Sequence, residues 1–319
     1  MGRGDGRHGV LSSPEKPKIS AVSESSVNNS DGLFADIPGL FQQEPALFEI
    51  CGTPERSELQ RGLSNRVFRL EAEKGVFFLR LPEACAAGGI DRNTEARNLA
   101  QAATLGLGVP PLFCRPETGI LLTAAIQDLV QHGGPDFPRA LGEALGKLHG
   151  SRCAFAGRLD PDEVYAAQSA ALQGNAAFRQ DVIDLDRAFR ALEESGQSRA
   201  QTRLVPSHGD LSPGNCLLTR DRLWLIDWEF SAMTEPAWDI AYAIQENGFC
   251  ETREAAFLEG YRAAGAAGLC PDPGRLNIMK AKCDAVSALW ALEQVAKGRE
   301  EQSFLAFARE RKIRALARL

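Results

Sequence analysis

An excess of basic charge is missing from this 319-residue chain, whose formal net charge is −6 and whose pI is about 5.4. Surfaces that track nucleic-acid phosphates need Lys and Arg gathered together, so nucleic acid as the main partner is disfavoured. A cationic substrate is compatible with the same balance. Cys-x-x-Cys pairs are also missing, although there are eight cysteines: Cys51, Cys85, Cys114, Cys153, Cys216, Cys250, Cys270 and Cys283. Several sit in apolar runs, and together they read as reduced core thiols of a cytosolic protein, neither a disulfide framework nor a zinc site. No apolar run reaches the length of a membrane span, and the N-terminus lacks the apolar core of a signal peptide. The expected location is cytoplasmic, without membrane insertion. Nothing in the sequence bears on oligomeric state.

What is there suits a soluble globular protein, with 44% apolar and 24% charged residues and enough length for two lobes. Residues 1–32 are rich in Gly, Ser, Asn, Lys and Glu and poor in large apolar side chains, the composition of a disordered tail. Arg3, Arg7 and His8 read either as an interaction arm or as part of a dispensable tail. Order is expected from Leu33-Phe34, with one short helix around Phe34 to Leu40.

The most informative stretch is His208-Gly209-Asp210-Leu211-Ser212-Pro213-Gly214-Asn215, followed by Asp227-Trp228-Glu229-Phe230. Between them, Cys216 to Thr219 and Leu223 to Ile226 are apolar runs flanking Arg220-Asp221-Arg222, a hairpin signal. Pairing Thr219 with Leu223 places Asn215 opposite Asp227, about 5 Å away on the same face. Ser212-Pro213-Gly214-Asn215 suits a type II turn with Gly214 at positive φ, which brings Asp210 beside that pair. Two oxygen ligands for a divalent ion next to a further carboxylate are what transfer of the γ-phosphoryl group of ATP requires. A hairpin with polar ends and no chemistry is the plain alternative.

The order His-x-Asp-x4-Asn and then Asp resembles the catalytic loop and metal-binding Asp of protein kinases. In its specific form, His-Gly-Asp-Leu-x-x-Gly-Asn with Ile-Asp-Trp-Glu-Phe, the stretch is similar to the aminoglycoside phosphotransferase and choline/ethanolamine kinase superfamily. The resemblance covers roughly residues 45 to 300. It implies an α+β, bilobal, protein-kinase-like fold. Residues 33–126 would form an N-lobe of small antiparallel sheet plus one helix, and residues 127–319 a larger, mostly helical C-lobe. It also implies ATP and Mg2+ as cofactors, Asp210 as catalytic base, Asn215 and Asp227 as metal ligands, and His208 and Asp239 as structural support. Asp239, in the first turn of a helix opened by Pro236, reads equally as a local helix-start acid.

Upstream, Arg61 to Arg66 is a Gly/Ser/Asn turn without the full Gly-x-Gly-x-x-Gly pattern, followed by strand-like runs over Val67 to Leu70 and Val76 to Leu81. In the kinase reading Gly62, Ser64 and Asn65 cover the ATP phosphates, though an ordinary hairpin turn would look much the same. Where protein kinases and aminoglycoside phosphotransferases carry Lys, this chain has Arg80, as choline-kinase-like proteins do. A guanidinium can grip phosphate and carboxylate alike. Its expected partner is Glu95, in a helix from about Asp91 to Ala103 that resembles the family's Asn-Arg-x-x-Glu helix; a solvated surface Glu is the other reading. Thr123 to Asp128 is the expected hinge against adenine, a placement that rests on resemblance. His149 reads as a helix-end packing residue. Further helices are expected at about 161 to 174, 178 to 195, 251 to 265, 275 to 297 and 301 to 316.

For the acceptor, the resemblance implies a quaternary ammonium held by aromatic faces and a carboxylate. Glu229, Phe230 and Trp290 are the candidate substrate residues. Trp290 matches the second Trp of the family's Trp-x-x-Trp helix, while Ser287 stands where the first would be. Core packing is the alternative for any one of the aromatics. The function implied is a kinase for choline or a related amino alcohol. Ethanolamine, thiamine or an aminoglycoside are alternative acceptors, and a non-catalytic nucleotide-binding protein is an alternative of another class.

Overall fold

The computed structural model describes residues 36–60, 65–82, 90–130, 134–194, 203–299 and 301–319. The expected disordered tail lies wholly outside them, as do Gly62, Ser64 and Cys85. At the start of the described chain stand two helices, α1 (Asp36–Gln43) and α2 (Pro45–Cys51), where one was expected. Pro45 is the reason: it has no N–H to continue α1, but its fixed φ suits the first turn of a new helix.

Both helices place Ile37, Phe41, Leu47 and Cys51 against one face of a five-stranded antiparallel sheet. The strands are β1 (Pro54–Gln60), β2 (Asn65–Ala72), β3 (Gly75–Pro82), β4 (Pro111–Arg115) and β5 (Ile120–Ala124), in the order β1-β2-β3-β5-β4. Phe68, Leu70, Phe77, Leu79 and Leu122 supply the sheet's share of this N-lobe core. Period-two alternation of these residues is why they share one face of the sheet.

Between β3 and β4 runs α3 (Arg92–Thr104), capped by Asp91, whose carboxylate accepts from the N–H groups of Asn93 and Thr94. Leu99 and Ala102 in its second half and the following Leu107 belong to the C-lobe core. The buried Asn98 side chain donates to Ser231 O at 2.9 Å and Ala156 O at 3.1 Å and accepts from Ala156 N at 2.8 Å.

The C-lobe is built from α4 (Phe137–His149), α5 (Pro161–Leu172), α6 (Arg179–Glu194), α7 (Pro236–Glu246), α8 (Glu251–Tyr261), α9 (Pro273–Ala296) and α10 (Glu301–Leu316). Two short ladders, β6 (Val205–Ser207) with β9 (Ala232–Thr234) and β7 (Cys216–Leu218) with β8 (Leu223–Leu225), carry the stretch singled out in the sequence. Helices α4 and α8 meet almost backbone to backbone, since a Cβ on Gly142 would come within 2.0 Å of Phe257 O. Among the described residues no helix is long and apolar enough to cross a membrane. Seven described cysteines are free; Cys51, Cys216 and Cys283 are buried as core thiols, whereas Cys114 and Cys250 are exposed, contrary to that reading.

Candidate active site

The register of the β7–β8 hairpin differs from the expected one. Cys216 pairs with Leu225, Leu217 with Trp224 and Leu218 with Leu223. Thr219 is therefore in the turn, where its N–H donates to Arg222 O at 2.9 Å and its Oγ1 bonds the same carbonyl at 3.0 Å. Asn215 stands opposite Ile226, not Asp227, and accepts from the Ile226 N–H at 3.0 Å. Because strand side chains alternate, a slip of one residue would by itself turn Asp227 away from Asn215. The ladder stops at Leu225, however, and Asp227 takes a left-handed conformation with φ 65°. That conformation breaks the alternation; it is uncommon outside glycine, and Asp is one of the residues that tolerate it.

The preceding turn also differs. Pro213–Asn215 is a single turn of 3-10 helix closed by Asn215 N donating to Ser212 O at 3.0 Å, and Gly214 is not at positive φ. Pro213 presets the first position of such a turn, so no left-handed residue is needed. The turn brings Asn215 Nδ2 to Asp210, donating to its backbone oxygen at 3.0 Å and its Oδ2 at 3.2 Å. The amide oxygen of Asn215 is thereby the atom left to offer a cation.

Beneath this loop lies Asp239 in the first turn of α7, fully buried. Its Oδ2 accepts from His208 N at 2.7 Å and its Oδ1 from Gly209 N at 2.9 Å. His149, at the end of α4, adds a third bond to Asp239 at 3.3 Å and reaches Tyr261 Oη at 2.9 Å. Burial opposes ionisation of Asp239, but the bond and charge of His149, with His208 and the Gly209 N–H, hold the carboxyl below its ordinary range. The His208 ring accepts from Asp210 N at 3.3 Å through Nδ1 and pairs through Nε2 with Ile226 O at 3.0 Å, which makes it the neutral Nε2–H tautomer. Burial pushes its pKa down, in keeping with that form. Gly209 has φ 87°, and a Cβ there would meet Phe230 O at 2.4 Å. Any side chain at this position would push the two loops apart.

Across the cleft, Arg80 near the end of β3 forks onto Glu95 of α3. Nη2 meets Oε2 at 2.9 Å, Nη1 bonds Oε1, and Nε reaches Gly119 O at 3.4 Å. Burial opposes the charge on Glu95, but its bonds to Arg80 and Arg92 win and lower its pKa. Asp227 experiences the reverse. Burial first, then the charges of Glu229 and Asp210, push its carboxyl up to about 8, with Arg80 pulling the other way. Crowded buried carboxylates of this kind are relieved by a hard cation with oxygen ligands. Asp227 and the Asn215 amide oxygen are the donors that fit Mg2+. Among the described residues no three or more His, Cys, Asp or Glu side chains form a metal-holding group. A Mg2+ ion held by one or two side chains together with nucleotide phosphates does not need one.

Thus Asp210, Asn215, Asp227, His208 and Asp239 are brought together from one side, and Arg80 and Glu95 from the other. The expected acceptor residues are dispersed. Glu229 is turned toward the N-lobe, where its Oε2 accepts from Asn65 Nδ2 at 2.9 Å and Arg92 Nη1 at 3.2 Å. Asn65 accordingly faces Glu229. Phe230 is 49% exposed beside Gly209, and Trp290 packs edge-on against Phe304 of α10 with ring centroids 5.7 Å apart. Sequence reasoning overlooked Arg92 and Asn98 and took His149 for packing alone. Arg92 was present in the Asn-Arg-x-x-Glu match without a role of its own, and for Asn98 the available signal was helical spacing, three residues past Glu95.

Comparisons with known proteins bear on the family and the fold. Two LicA proteins from Haemophilus influenzae are 29% identical over 205 residues and 30% identical over 204 residues, covering 63% and 62% of this chain. The chain spans 60% of the length of the first and 76% of the second. A solved choline/ethanolamine kinase family protein from Mesorhizobium loti is 28% identical with a TM-score of 0.68, covering 87% of this chain and 94% of its own. The choline kinase LicA of Streptococcus pneumoniae, at 20% identity, shares the fold with a TM-score of 0.73 over 89% of this chain and 99% of its own. The model of the phosphotransferase enzyme family matches residues 55–278, from β1 through the β7–β8 hairpin and into α9. The chain therefore belongs to the phosphotransferase enzyme family, within the aminoglycoside phosphotransferase superfamily and beside the choline/ethanolamine kinases that it resembles.

Proposed function

We propose that this chain is an ATP- and Mg2+-dependent kinase that phosphorylates the hydroxyl of choline or a related amino alcohol. The observation that carries the reading is the convergence of Asp210, Asn215 and Asp227 opposite the Arg80–Glu95 pair. Asp210 accepts the proton of the attacking hydroxyl, held in place by Asn215 and by its neighbours His208 and Gly209, whose N–H groups are fixed on Asp239. Arg80, its planar guanidinium oriented by Glu95, would bind the nucleotide phosphates. Asn215 and Asp227 would hold Mg2+, which supplies charge neutralisation to the transferring phosphoryl group. Gly62, Ser64 and Asn65 complete the nucleotide side, with the lobe boundary placed at residues 126 and 127. The half-exposed Phe230, beside the loop that carries Asp210, is an aromatic face available to a cationic acceptor. A cytoplasmic location belongs to the same proposal.

The choice of amino alcohol rests on the names of the relatives and on Arg80 in place of Lys. ATP consumption against choline, ethanolamine, thiamine and aminoglycosides tests it, and the expected result is turnover with choline or ethanolamine. Turnover with an aminoglycoside alone would overturn the substrate class. Absence of acceptor-dependent turnover together with tight ATP binding would favour the non-catalytic reading.

A further inference from the structure

Asn65, Arg92 and Glu229 form a closed triangle of hydrogen bonds. Arg92 Nη2 donates to Asn65 Oδ1 at 2.6 Å, Arg92 Nη1 to Glu229 Oε2 at 3.2 Å, and Asn65 Nδ2 to the same Glu229 oxygen at 2.9 Å. The three residues come from different pieces of the fold: the first residue of β2, the first residue of α3, and the loop two residues past Asp227. Arg92 also donates to Glu95 at 2.8 Å, so the triangle shares a carboxylate with the Arg80 pair. It is not a surface arrangement, since the Arg92 and Glu229 side chains are 14% and 2% exposed.

The base of the triangle is rigid. Asn98, about 1.7 turns further along α3, is locked to the backbone of Ala156 and Ser231, and Leu225 N donates to Leu107 O at 2.8 Å just past the helix. Helix α3 is therefore fixed to the C-lobe on both sides of the metal-binding loop. Arg92 is held at a constant distance from Glu229, while Asn65 brings in the strand that leads out of the nucleotide-covering turn. A charge-assisted triangle with each member bonded to the other two is worth more than isolated pairs, because loss of one member leaves two buried polar groups short of partners.

We propose that Arg92 is a positioning residue and that the Asn65–Arg92–Glu229 triangle is a latch between the lobes. It holds the start of β2 and the Asp227 loop at a fixed separation for the nucleotide. This rests on the kinase reading above and replaces one expectation from the sequence: Glu229 acts on the nucleotide side and not as a ligand of the acceptor.

The test is calorimetric binding of the non-hydrolysable ATP analogue AMP-PNP with Mg2+ to the full chain, with thermal unfolding measured alongside. Arg92→Met and Glu229→Gln should each weaken nucleotide binding about tenfold. The double variant should be no weaker than the worse single one, and Arg92→Lys should recover part of the loss. With an acceptor that the panel identifies, KM for ATP should rise while KM for the acceptor stays within about twofold. Asn65→Ala, a milder change, should give a smaller loss in the same direction, which keeps the test open if Arg92→Met unfolds. Normal nucleotide binding in the variants, additive losses, or a rise confined to the acceptor KM of Glu229→Gln would each overturn the latch while leaving the kinase reading intact. Absence of nucleotide binding by the unaltered chain would overturn both.

Discussion

Asp210 and its immediate neighbours set what single substitutions should do. Asp210→Ala removes the proposed base but leaves Asp239 holding the loop through the His208 and Gly209 N–H groups. Phosphoryl transfer should fall at least about a hundredfold, with nucleotide affinity and melting temperature nearly unchanged. Turnover within a few fold of the unaltered protein would sink the assignment. Glu95 offers a second test through pH. Its folded pKa lies below the ordinary 4.5, so between the two values the unfolded chain binds the extra proton. Its contribution is therefore fully present above about pH 4.5 and disappears as pH falls through the lower, folded value. The gap in urea midpoint between the unaltered protein and Glu95→Gln should be widest near pH 7 and narrow below pH 4.5. A gap independent of pH would mean that the ion pair with Arg80 adds nothing to stability.

Among the secondary-structure elements, the crossing of α4 and α8 supports the site from behind. His149 ends α4 and Tyr261 ends α8, and these two side chains bond each other as His149 reaches Asp239. The close approach depends on Gly142, where a Cβ would overlap Phe257 O. Gly142→Ala should therefore destabilise the protein by about 1–3 kcal/mol through overpacking, despite alanine's better helix propensity. It should also lower turnover by shifting His149. A denaturation midpoint equal to or above that of the unaltered protein would show that the helices can separate at no cost. Helix α3 makes the complementary point: its N-terminal end serves Arg80 and Asn65, whereas its C-terminal end is built into the C-lobe core. A helix anchored in this way presents Glu95 without having to swing into place.

For the molecule as a whole, the two lobes meet around a cleft that collects Asp210, Asp227, Glu229 and Glu95 against Arg80 and Arg92. Four carboxylates against two guanidiniums leave a local excess of negative charge. Mg2+, bound between these carboxylates and the nucleotide phosphates, should offset it locally and hold the lobes together. Melting temperature should rise on adding Mg2+ and AMP-PNP, by the equivalent of about 2.7 kcal/mol at a hundredfold excess over Kd. AMP-PNP with a chelator should give a much smaller rise, because its phosphates would add to the same negative field. Equal stabilisation with and without the metal would count against Asp227 and Asn215 as its ligands.

Much of this was legible in one dimension. The hairpin, the Arg80 strand and the Glu95 helix each follow from torsional preferences or periodicity within a dozen residues, and so do nearly all the helix positions, whereas the His-x-Asp-x4-Asn spacing was read by resemblance. Such patterns report local backbone geometry, which is why element type and approximate boundaries could be read directly. Register and partnership could not. The hairpin slipped by one residue because the bonds of Thr219 in its turn outweighed one more ladder pair, and the left-handed backbone of Asp227 then re-aimed its carboxylate. Glu229 looked like an acceptor ligand beside two aromatics, yet its partners are Asn65 and Arg92, 164 and 137 residues away. Trp290 looked like half of a cage and packs on Phe304. A buried charge takes whichever opposite group the fold places within about 3 Å, and sequence distance says nothing about that choice. The chain alone determined which chemical groups are present and on what kind of element; only the tertiary structure decided which of them meet.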